Sequence, residues 1–275
     1  MIVGREQAAA PGLNRLERLY IRFFGYPALG LRVRAKTILP LVCSVPEPGT
    51  ILDAGCGKGV FTFAAARIFP RALVTGADSS LELVERNTIL AERLGTNNIR
   101  FETQDVTQLE AREAYDLIIA TDVLEHVEDD RGLLRRFLYA LQRGGRLVLH
   151  VPHVTRHVLG WSRLNFTEIE GHVRPGYSLD GLRQMLIESG FEVEEAFYNY
   201  NSVETFMNDI SYLITEGHER RKLVYALSFP WLLFGAWLAN GIRPRKGSGL
   251  VVLAKRPLLR ERSDAKSGHD PEGVF

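Results

Sequence analysis

Cysteine is scarce in this chain: among 275 residues there are only two, Cys43 and Cys56. Two cysteines provide neither a disulfide framework nor the ligand spacing of a zinc site, which is consistent with a reducing compartment. Residues 1–11 also lack the basic and then apolar layout of a signal peptide. Both absences lead us to expect a cytoplasmic protein without structural disulfides.

The chain also lacks an excess of charge of either sign, since 34 lysines and arginines accompany 33 acidic residues. General nucleic-acid binding usually needs a strongly basic surface, so this near-neutral balance argues against a nucleic-acid partner. Hydrophobic residues make up 45% of the sequence. A chain of this length and apolar content can bury one sizeable core.

Short apolar segments alternate with segments of helical character along most of the chain. After a first strand ending at residue 52, strands are predicted at 72–77, 99–104, 115–120, 147–151 and 191–199. Helices are predicted at 60–69, 80–94, 130–142 and 178–189, each with a proline or glycine within two residues of its end. The alternation predicts βαβ units and a mostly parallel sheet, which is an α/β fold.

The stretch 51–59 reads Ile-Leu-Asp-Ala-Gly-Cys-Gly-Lys-Gly and is the most informative part of the sequence. Asp53 closes a short apolar strand. Three glycines follow it at alternate positions: Gly55, Gly57 and Gly59. Glycines allow positive φ and let the backbone approach a ligand that a Cβ would hold away. A dinucleotide site requires G-x-G-x-x-G, whose third glycine would stand where this chain has Val60, so the spacing argues against a nicotinamide cofactor.

An acidic residue follows each of four predicted strands: Asp53, Asp78, Asp105 and Asp122. Taken alone, each would be a turn former or a helix N-cap as readily as a ligand-binding group. In an open α/β sheet, however, ligands bind beyond the carboxyl ends of the strands, where all four acids would face one crevice. A carboxylate there can accept hydrogen bonds from both hydroxyls of a ribose, because it has two oxygens.

The glycine loop, the acids and the signature Asp-Val-Leu-Glu-His-Val at 122–127 together resemble the class I S-adenosylmethionine (SAM)-dependent methyltransferases. The signature is similar to that of the ubiquinone and menaquinone methyltransferases and their small-molecule relatives, and the resemblance extends over residues 42–193. It implies a Rossmann-like, doubly wound sheet of seven strands, six parallel and one antiparallel. In that arrangement residues 249–255 insert between strands five and six.

The resemblance also implies SAM as the cofactor and indicates which residues hold it. Asp78 would accept the ribose hydroxyls, and Asp105 with Val106 would face the adenine. The full set of cofactor-binding residues expected on this basis is Asp53, Gly55, Gly57, Gly59, Asp78, Ser79, Asp105, Val106, Thr121 and Asp122.

Five segments are expected: a helical N-terminal cap over 1–45, a SAM-binding core over 46–200, an apolar helical insertion over 201–246, the last core strand over 247–257, and a disordered tail over 258–275. Within the cap, Leu16, Leu19 and Phe23 fall on one face at helical spacing, and arginines surround them. This pattern favours a cap helix with a solvated basic face over a helix on a membrane surface. The resemblance implies that such helices close over the cofactor.

The insertion between strands six and seven is too long for a structureless loop in a compact domain. Residues 202–216 are predicted to be helical, and residues 223–239 are almost wholly apolar. A transmembrane helix needs about 20 apolar residues, whereas this run is shorter and contains Pro230 and Gly235. Three alternatives stay open: a spanning helix, peripheral contact with a membrane surface, and a buried lid over the active site. The last two favour a lipophilic acceptor, such as a quinone precursor, a phenol or a lipid-like metabolite.

Methyl transfer needs an aligned acceptor, and a general base where the acceptor must lose a proton. The candidates for that base are His172, His126 and Tyr177. His172 is preferred because it lies just before the helix at 178, and the resemblance implies a histidine and an arginine over the substrate pocket. No cluster of residues has convincing metal-ligand spacing, so no metal is expected.

Two other functions remain as alternatives to a methyltransferase. One is a catalytically silent SAM-binding protein, and the other is a nicotinamide-dependent oxidoreductase on a related fold. The intact glycine loop and Asp78 disfavour the first, and the missing third glycine disfavours the second.

Overall fold

A computed structural model describes residues 3–155, 171–215, 222–238 and 244–258 of the chain. One sheet contains seven strands: β1 (Thr50–Ala54), β2 (Leu73–Asp78), β3 (Ile99–Thr103), β4 (Tyr115–Thr121), β5 (Leu141–Pro152), β6 (Glu192–Asn199) and β7 (Gly249–Lys255). The α-helices of the described ranges are α1 (Arg15–Phe24), α2 (Leu29–Ser44), α3 (Val60–Ile68), α4 (Leu81–Leu94), α5 (Asp130–Ala140), α6 (Leu179–Glu188), α7 (Ser202–Thr215) and α8 (Lys222–Leu238). The tail predicted over 258–275 lies outside the described residues, apart from Leu258.

The strand order of the sheet is β3-β2-β1-β4-β5-β7-β6. β7 runs antiparallel to both of its neighbours, whereas all other neighbouring pairs are parallel. This confirms the predicted doubly wound sheet of six parallel strands and one antiparallel strand. Between β1 and β4 the order reverses, and ligands of such sheets bind at this switch point, beyond the carboxyl ends of the strands.

The end of α5 and the start of β5 both lie earlier in the chain than the sequence predicted. α5 begins after Asp129, whose carboxylate caps its first turn, and ends at Ala140 rather than at residue 142. The reason is that Leu141 is fully buried and already pairs with Tyr115 of β4. β5 therefore begins at residue 141 and not at 147.

The helical cap predicted over 1–45 contains two α-helices, because Gly25 ends α1 with a φ of 72°. α2 packs on the sheet, with Ile38 and Val42 fully buried. The apolar face predicted for α1 is present at the expected spacing, but it is not covered by the fold. Its members Leu16, Leu19 and Phe23 are each more than half exposed.

The insertion between β6 and β7 forms α7 and α8, which pack against each other and against α2. Phe229, Leu232 and Ala236 of α8 are buried on this side. The Lys36 ammonium of α2 donates to the Glu204 carboxylate of α7 at 2.7 Å, which links the cap to the insertion. Among the described residues, no helix combines the length and the apolar character that crossing a bilayer requires.

Candidate functional site

The glycine loop between β1 and α3 has a backbone conformation that glycine adopts readily and other residues do not. Gly55, Gly57 and Gly59 have φ values of 69°, 51° and 72°, all in the left-handed region. A Cβ on Gly55 would lie 2.6 Å from Val123 Cγ2, whereas a Cβ on Gly57 would have no atom within 4 Å. The loop backbone is therefore open to close approach by a ligand.

Hydrogen bonds from two sides hold this loop. The Gly57 N–H donates to the Asp78 carboxylate at 2.8 Å. On the other side, the buried Gln7 side chain donates to the Lys58 carbonyl at 2.8 Å. The N-terminal segment before α1 thus supports the loop, a contact that no motif in the sequence indicates.

A cavity of about 460 Å³ adjoins the glycine loop and the residues that follow β2, β3 and β4; we call it the cofactor cavity. Six of the ten residues predicted to bind the cofactor line it: Gly55, Asp78, Ser79, Asp105, Val106 and Asp122. The other four are not among its lining residues: Asp53, Gly57, Gly59 and Thr121. Its volume falls within the range of small-molecule sites, roughly 300–1,000 Å³.

Asp53 lies beneath the loop and not in the cofactor cavity. Its side chain is buried and accepts a hydrogen bond from the Thr62 hydroxyl at 2.6 Å. Burial raises the pKa of Asp53 to about 7, although the hydrogen bonds from Thr62 act in the opposite direction. Asp53 therefore links β1 to α3 below the loop, where a ligand in the cavity does not reach it directly.

Two acids of the cofactor cavity are oriented by neighbouring donors. Asp78 accepts from the N–H groups of Gly57 and Ser80, one on each oxygen, at 2.8 and 2.9 Å. One oxygen of Asp105 accepts from the N–H and the hydroxyl of Thr107, at 2.9 and 2.7 Å. Each carboxylate keeps further lone pairs for a ligand, because it has about four acceptor sites. Both acids are thus oriented before a ligand binds.

Asp122 lies between the cofactor cavity and a second cavity. Its φ of 54° is uncommon for a residue with a side chain, although aspartate adopts it more often than most. Its carboxylate pairs with the Arg34 guanidinium of α2 and accepts a hydrogen bond from Nδ1 of His150 at 2.5 Å. Burial, followed by the charge of Arg34, keeps the pKa of His150 well below its ordinary value, so this imidazole is neutral.

The second cavity, of about 300 Å³, shares Asp122 and His126 with the cofactor cavity; we call it the acceptor cavity. Its remaining lining residues are Arg34, Glu125, His150, Pro152, His172, Tyr200, Thr205, Asn208, Tyr212 and Ser248. Most of them carry hydrogen-bonding side chains. Within the described part of the insertion, α7 contributes to this lining and α8 does not.

Two hydrogen bonds hold His172 at the acceptor cavity. Nδ1 of His126 donates to the Gly171 carbonyl at 2.9 Å, and the Val173 N–H donates to the Glu125 carbonyl at 2.9 Å. The rings of His126 and His172 meet edge to face with their centroids 4.6 Å apart. The buried Nδ1 atom of His172 has no hydrogen-bond partner among the described residues. Partial burial, with a smaller effect of His126, lowers the pKa of His172, so the ring is neutral near pH 7.

Glu125 is a further titratable group in the wall of this cavity. Its side chain is 1% exposed, and its Oε2 atom lacks a hydrogen-bond partner in the described ranges. Burial raises the pKa of Glu125 to about 7. Ligand atoms of Glu125, His126 and His172 lie within 4.8 Å of one another. The trio can accept and pass on a proton, and its donor set could also hold a divalent cation, although the sequence led us to expect no metal.

Tyr177, the third predicted catalytic residue, does not line either cavity. Its hydroxyl donates to the Asp130 carboxylate at 3.0 Å and accepts from the Arg174 guanidinium at 2.8 Å. Burial raises the pKa of Tyr177, so its phenol stays protonated. This cluster anchors the segment that carries His172 and does not present a proton acceptor to a ligand.

Nine of the twelve residues that line the acceptor cavity were not among the predicted site residues, and Arg34, Glu125 and His150 are three of them. Glu125 had a signal in the sequence, namely its place in the 122–127 signature. Arg34 is one of several basic residues on the cap and has no local feature that separates it from them. His150 is placed beside Asp122 only by the pairing of β4 with β5.

The described residues fit a nucleoside with a charged extension, as SAM has. The glycine loop leaves open space where a Cβ on Gly57 would stand, and Asp78 and Asp105 present oriented carboxylates. In addition, the buried Oγ1 atom of Thr121 has no partner among the described residues and can donate to or accept from a ligand nearby. These residues could hold the ribose, the adenine and the polar end of the cofactor.

A family model described as a methyltransferase domain matches residues 47–190, more than half of the chain. The trans-aconitate 2-methyltransferase of Deinococcus radiodurans is 34% identical over 150 residues, which cover 52% of this chain and 56% of that protein. The chain thus spans about half the length of the curated relatives it matches.

Solved structures show a similar fold. The cyclase SpnF aligns with a TM-score of 0.59 and 20% identity, covering 82% of this chain and 81% of that chain. The N-methyltransferase NodS from Bradyrhizobium japonicum WM9, in complex with S-adenosyl-L-homocysteine, aligns with a TM-score of 0.53 and 19% identity, covering 82% and 87%. At such identities the likeness concerns the fold alone, and one of these two neighbours is named as a cyclase.

Proposed function

The chain belongs to the class I SAM-dependent methyltransferase family, and on that premise we propose that it methylates a small, lipophilic acceptor at a polar end. The observation that carries this proposal is the pair of adjoining cavities. The cofactor cavity and the acceptor cavity share Asp122 and His126. A methyl donor in the first cavity and a nucleophile in the second would therefore meet at this shared wall.

When bound, SAM supplies a methyl group on a cationic sulfonium, so the cofactor provides the electrophile. The residues of the chain bind and orient the two reactants. The glycine loop and Asp78 hold the nucleoside, and polar side chains of α2 and α7 orient the acceptor. Alignment of two reactants in this way contributes roughly 7–11 kcal/mol to lowering a barrier.

We assign acceptance of the proton to His172. It lines the acceptor cavity, it is neutral near pH 7, and its Nδ1 atom has no partner among the described residues. His126 already donates its Nδ1–H to the Gly171 carbonyl, so we assign it the role of positioning His172. A general base of this kind accelerates a reaction by about 10²–10⁴-fold where the nucleophile must lose a proton.

The acceptor is proposed to have a polar reacting end and a lipophilic remainder. The polar end is supported by the hydrogen-bonding side chains of the acceptor cavity, among them Arg34 and Asn208. The lipophilic remainder is supported by an apolar groove of about 630 Å³ between α2 and α8, lined by residues such as Val33, Leu233 and Trp237. α2 contributes lining residues to both the groove and the acceptor cavity, Val33 to the groove and Arg34 to the cavity. An amphiphilic molecule is thus the class of acceptor that we propose.

The proposal is tested with SAM labelled on its methyl group and a panel of quinols, phenols and lipids. We expect label to enter at least one acceptor, and we expect SAM to raise the melting temperature whereas NAD does not. A ligand at about 100 times its Kd stabilises a protein by about 2.7 kcal/mol, which is readily measured. Stabilisation by NAD alone would support the oxidoreductase alternative. Binding of SAM with no label in any acceptor would support the silent SAM-binding alternative.

Replacing Asp78 by alanine is expected to weaken SAM binding by roughly 1.5–3 kcal/mol, the range for hydrogen bonds to a charged group. Because Asp78 also accepts from the Gly57 N–H, the loss could act through the loop instead of the ribose. A ligand lacking the ribose hydroxyls separates the two routes. In calorimetry, Asp78→Ala should weaken SAM far more than its 2′,3′-dideoxy analogue.

The matched control for this substitution is Asp116→Ala. Asp116 likewise accepts hydrogen bonds from backbone N–H groups, those of Gly49 and Thr50, but these lie at the start of β1, at the opposite end of the sheet from the cofactor cavity. We expect Asp116→Ala to lower the melting temperature and leave the Kd for SAM unchanged. Equal weakening of SAM and of the dideoxy analogue by Asp78→Ala would contradict the ribose assignment.

A further inference from the structure

The outer face of α8 is an apolar surface that the proposed methyl transfer does not use. Leu223, Leu227, Trp231, Phe234 and Leu238 follow one another at helical spacing, and each is more than half exposed. Trp231 is the most exposed of them, at 75%. The opposite face of the helix packs against the rest of the protein, as the fully buried Phe229 shows. α8 is therefore attached to the protein along one side and uncovered along the other.

α1 continues this surface and adds positive charge to it. The hydroxyl of Tyr20 donates to the Ala226 carbonyl at 2.7 Å, and Tyr20 packs on the buried side of α8. The exposed apolar side chains of α1 are Leu16, Leu19, Phe23 and Phe24, and an exposed arginine lies one residue before each of the first three. The single acid of the helix, Glu17, is part of the capping box with Asn14. The helix carries a net charge of +2, whereas residues 223–238 of α8 carry none.

We propose that the outer faces of α1 and α8 dock this enzyme on the surface of an anionic lipid bilayer. Helices that lie in the plane of a membrane interface typically have Trp, Phe and Leu on one face and basic residues such as arginine beside them. A helix whose other side is packed into a domain can lie on a bilayer without crossing it. The docking goes beyond the proposed methyl transfer and does not depend on it.

The charge pattern favours lipid over a second copy of the chain. In a two-fold dimer the same patch meets itself, so the arginines of α1 would approach the arginines of the other copy. Anionic headgroups instead complement Arg15, Arg18 and Arg22, each of which is exposed. Basic residues near an anionic membrane surface each contribute about fivefold to binding. The surface as a whole thus matches apolar acyl chains bordered by negative charge.

Flotation of the full chain with vesicles tests the docking. We expect binding to vesicles of phosphatidylcholine with phosphatidylglycerol, weaker binding to phosphatidylcholine alone, and a decrease when salt shortens the Debye length from about 10 Å to about 3 Å. Substituting Arg15, Arg18 and Arg22 by glutamine should weaken the anionic-vesicle binding by roughly a hundredfold, about fivefold for each arginine. Leu227→Gln combined with Trp231→Gln should remove binding to both kinds of vesicle.

Matched controls use α6, which lies away from this surface. Ile187 is half exposed and Arg183 is exposed, so Ile187→Gln and Arg183→Gln remove similar groups elsewhere and should leave vesicle binding unchanged. The Kd for SAM is measured in every variant and should not change. Loss of SAM binding would report a failure of the fold or of the cofactor site, and absence of methylation by a vesicle-bound enzyme would count against the proposed function alone.

A second measurement leaves the chain unaltered. Brominated phosphatidylcholine in the anionic vesicles should quench the tryptophan fluorescence, because Trp231 would enter the lipid. Three results would overturn the docking: no flotation with anionic vesicles, flotation that the α1 and α8 variants and the α6 controls reduce equally, or a dimer in solution that disappears in the Leu227 and Trp231 variant.

Discussion

Gly55→Val is expected to abolish SAM binding beyond detection by calorimetry while the chain still folds. The new Cβ would lie 2.6 Å from Val123 Cγ2, a separation that requires one of the two groups to move. Val123 lines the cofactor cavity, so its displacement would take space from the ligand. The φ of 69° at Gly55 adds backbone strain, which costs a residue with a side chain about 1–2 kcal/mol.

Gly95→Val separates the effect on the ligand from the effect of strain. Gly95 has a φ of 64° and ends α4, and a Cβ there would meet no atom within 4 Å. The two substitutions share the left-handed backbone, but only Gly55 lines the cofactor cavity. We expect Gly95→Val to lower the melting temperature and keep the Kd for SAM. Unchanged SAM affinity in Gly55→Val would contradict the assignment of the glycine loop to the cofactor site.

The sheet and most of the cofactor cavity could be predicted from the sequence because their signals are local. Asp78, Asp105 and Asp122 each follow an apolar strand directly, and parallel strands bring their carboxyl ends to one edge. Asp53 follows the same rule, yet it lies beneath the loop with Thr62. Its place differs because the glycine loop begins immediately after it and covers it. A strand-end position thus predicts the edge of the sheet, but not which side of the following loop a side chain occupies.

The acceptor cavity could be predicted only in part, because its residues come from distant segments. Two hydrogen bonds bring His126 and His172 together: one joins His126 to the Gly171 carbonyl, and the other joins the Val173 N–H to the Glu125 carbonyl. No local pattern in the sequence indicates either bond. Arg34 resembles the other basic residues of the cap until the fold places it against Asp122.

The two apolar helices show a second limit of sequence patterns. Helical spacing predicts that side chains share a face, but burial depends on whether another element covers that face. The predicted face of α1 stays exposed at Leu16, Leu19 and Phe23. α8 is apolar on every side, so periodicity could not distinguish its buried face at Phe229 from its exposed face at Trp231.

His172→Gln is expected to lower kcat by about 10²–10⁴-fold, the usual contribution of a general base, with no change in the Kd for SAM. Glutamine keeps a hydrogen-bonding side chain of similar size but cannot take up the proton of the acceptor. Two hydrogen bonds that position residue 172 come from Gly171 and Val173, so they persist in the variant. Measuring kcat with an acceptor from the panel, alongside calorimetry with SAM, checks both expectations.

The pH dependence identifies which group takes the proton. His172 acts in its neutral form, and burial lowers its pKa below 6.5, so its activity is present at neutral pH and lost as the pH falls through that lowered pKa. The acid limb of kcat/KM should therefore lie below pH 6.5 and disappear in His172→Gln. Burial raises the pKa of Glu125 to about 7, so a limb near pH 7 that disappears in Glu125→Gln would assign the base to Glu125 instead.

A matched histidine and a chelator complete the test. His153 is buried, its Nδ1 donates to the Thr155 carbonyl, and it lines neither cavity, so His153→Gln should leave kcat unchanged. A chelator should also leave kcat unchanged, because a nitrogen that takes a proton cannot be bound to a cation at the same time. If the chelator instead removes activity and a divalent cation restores it, the trio of Glu125, His126 and His172 holds a metal. His172 would then be a ligand, and its assignment as the base would be wrong.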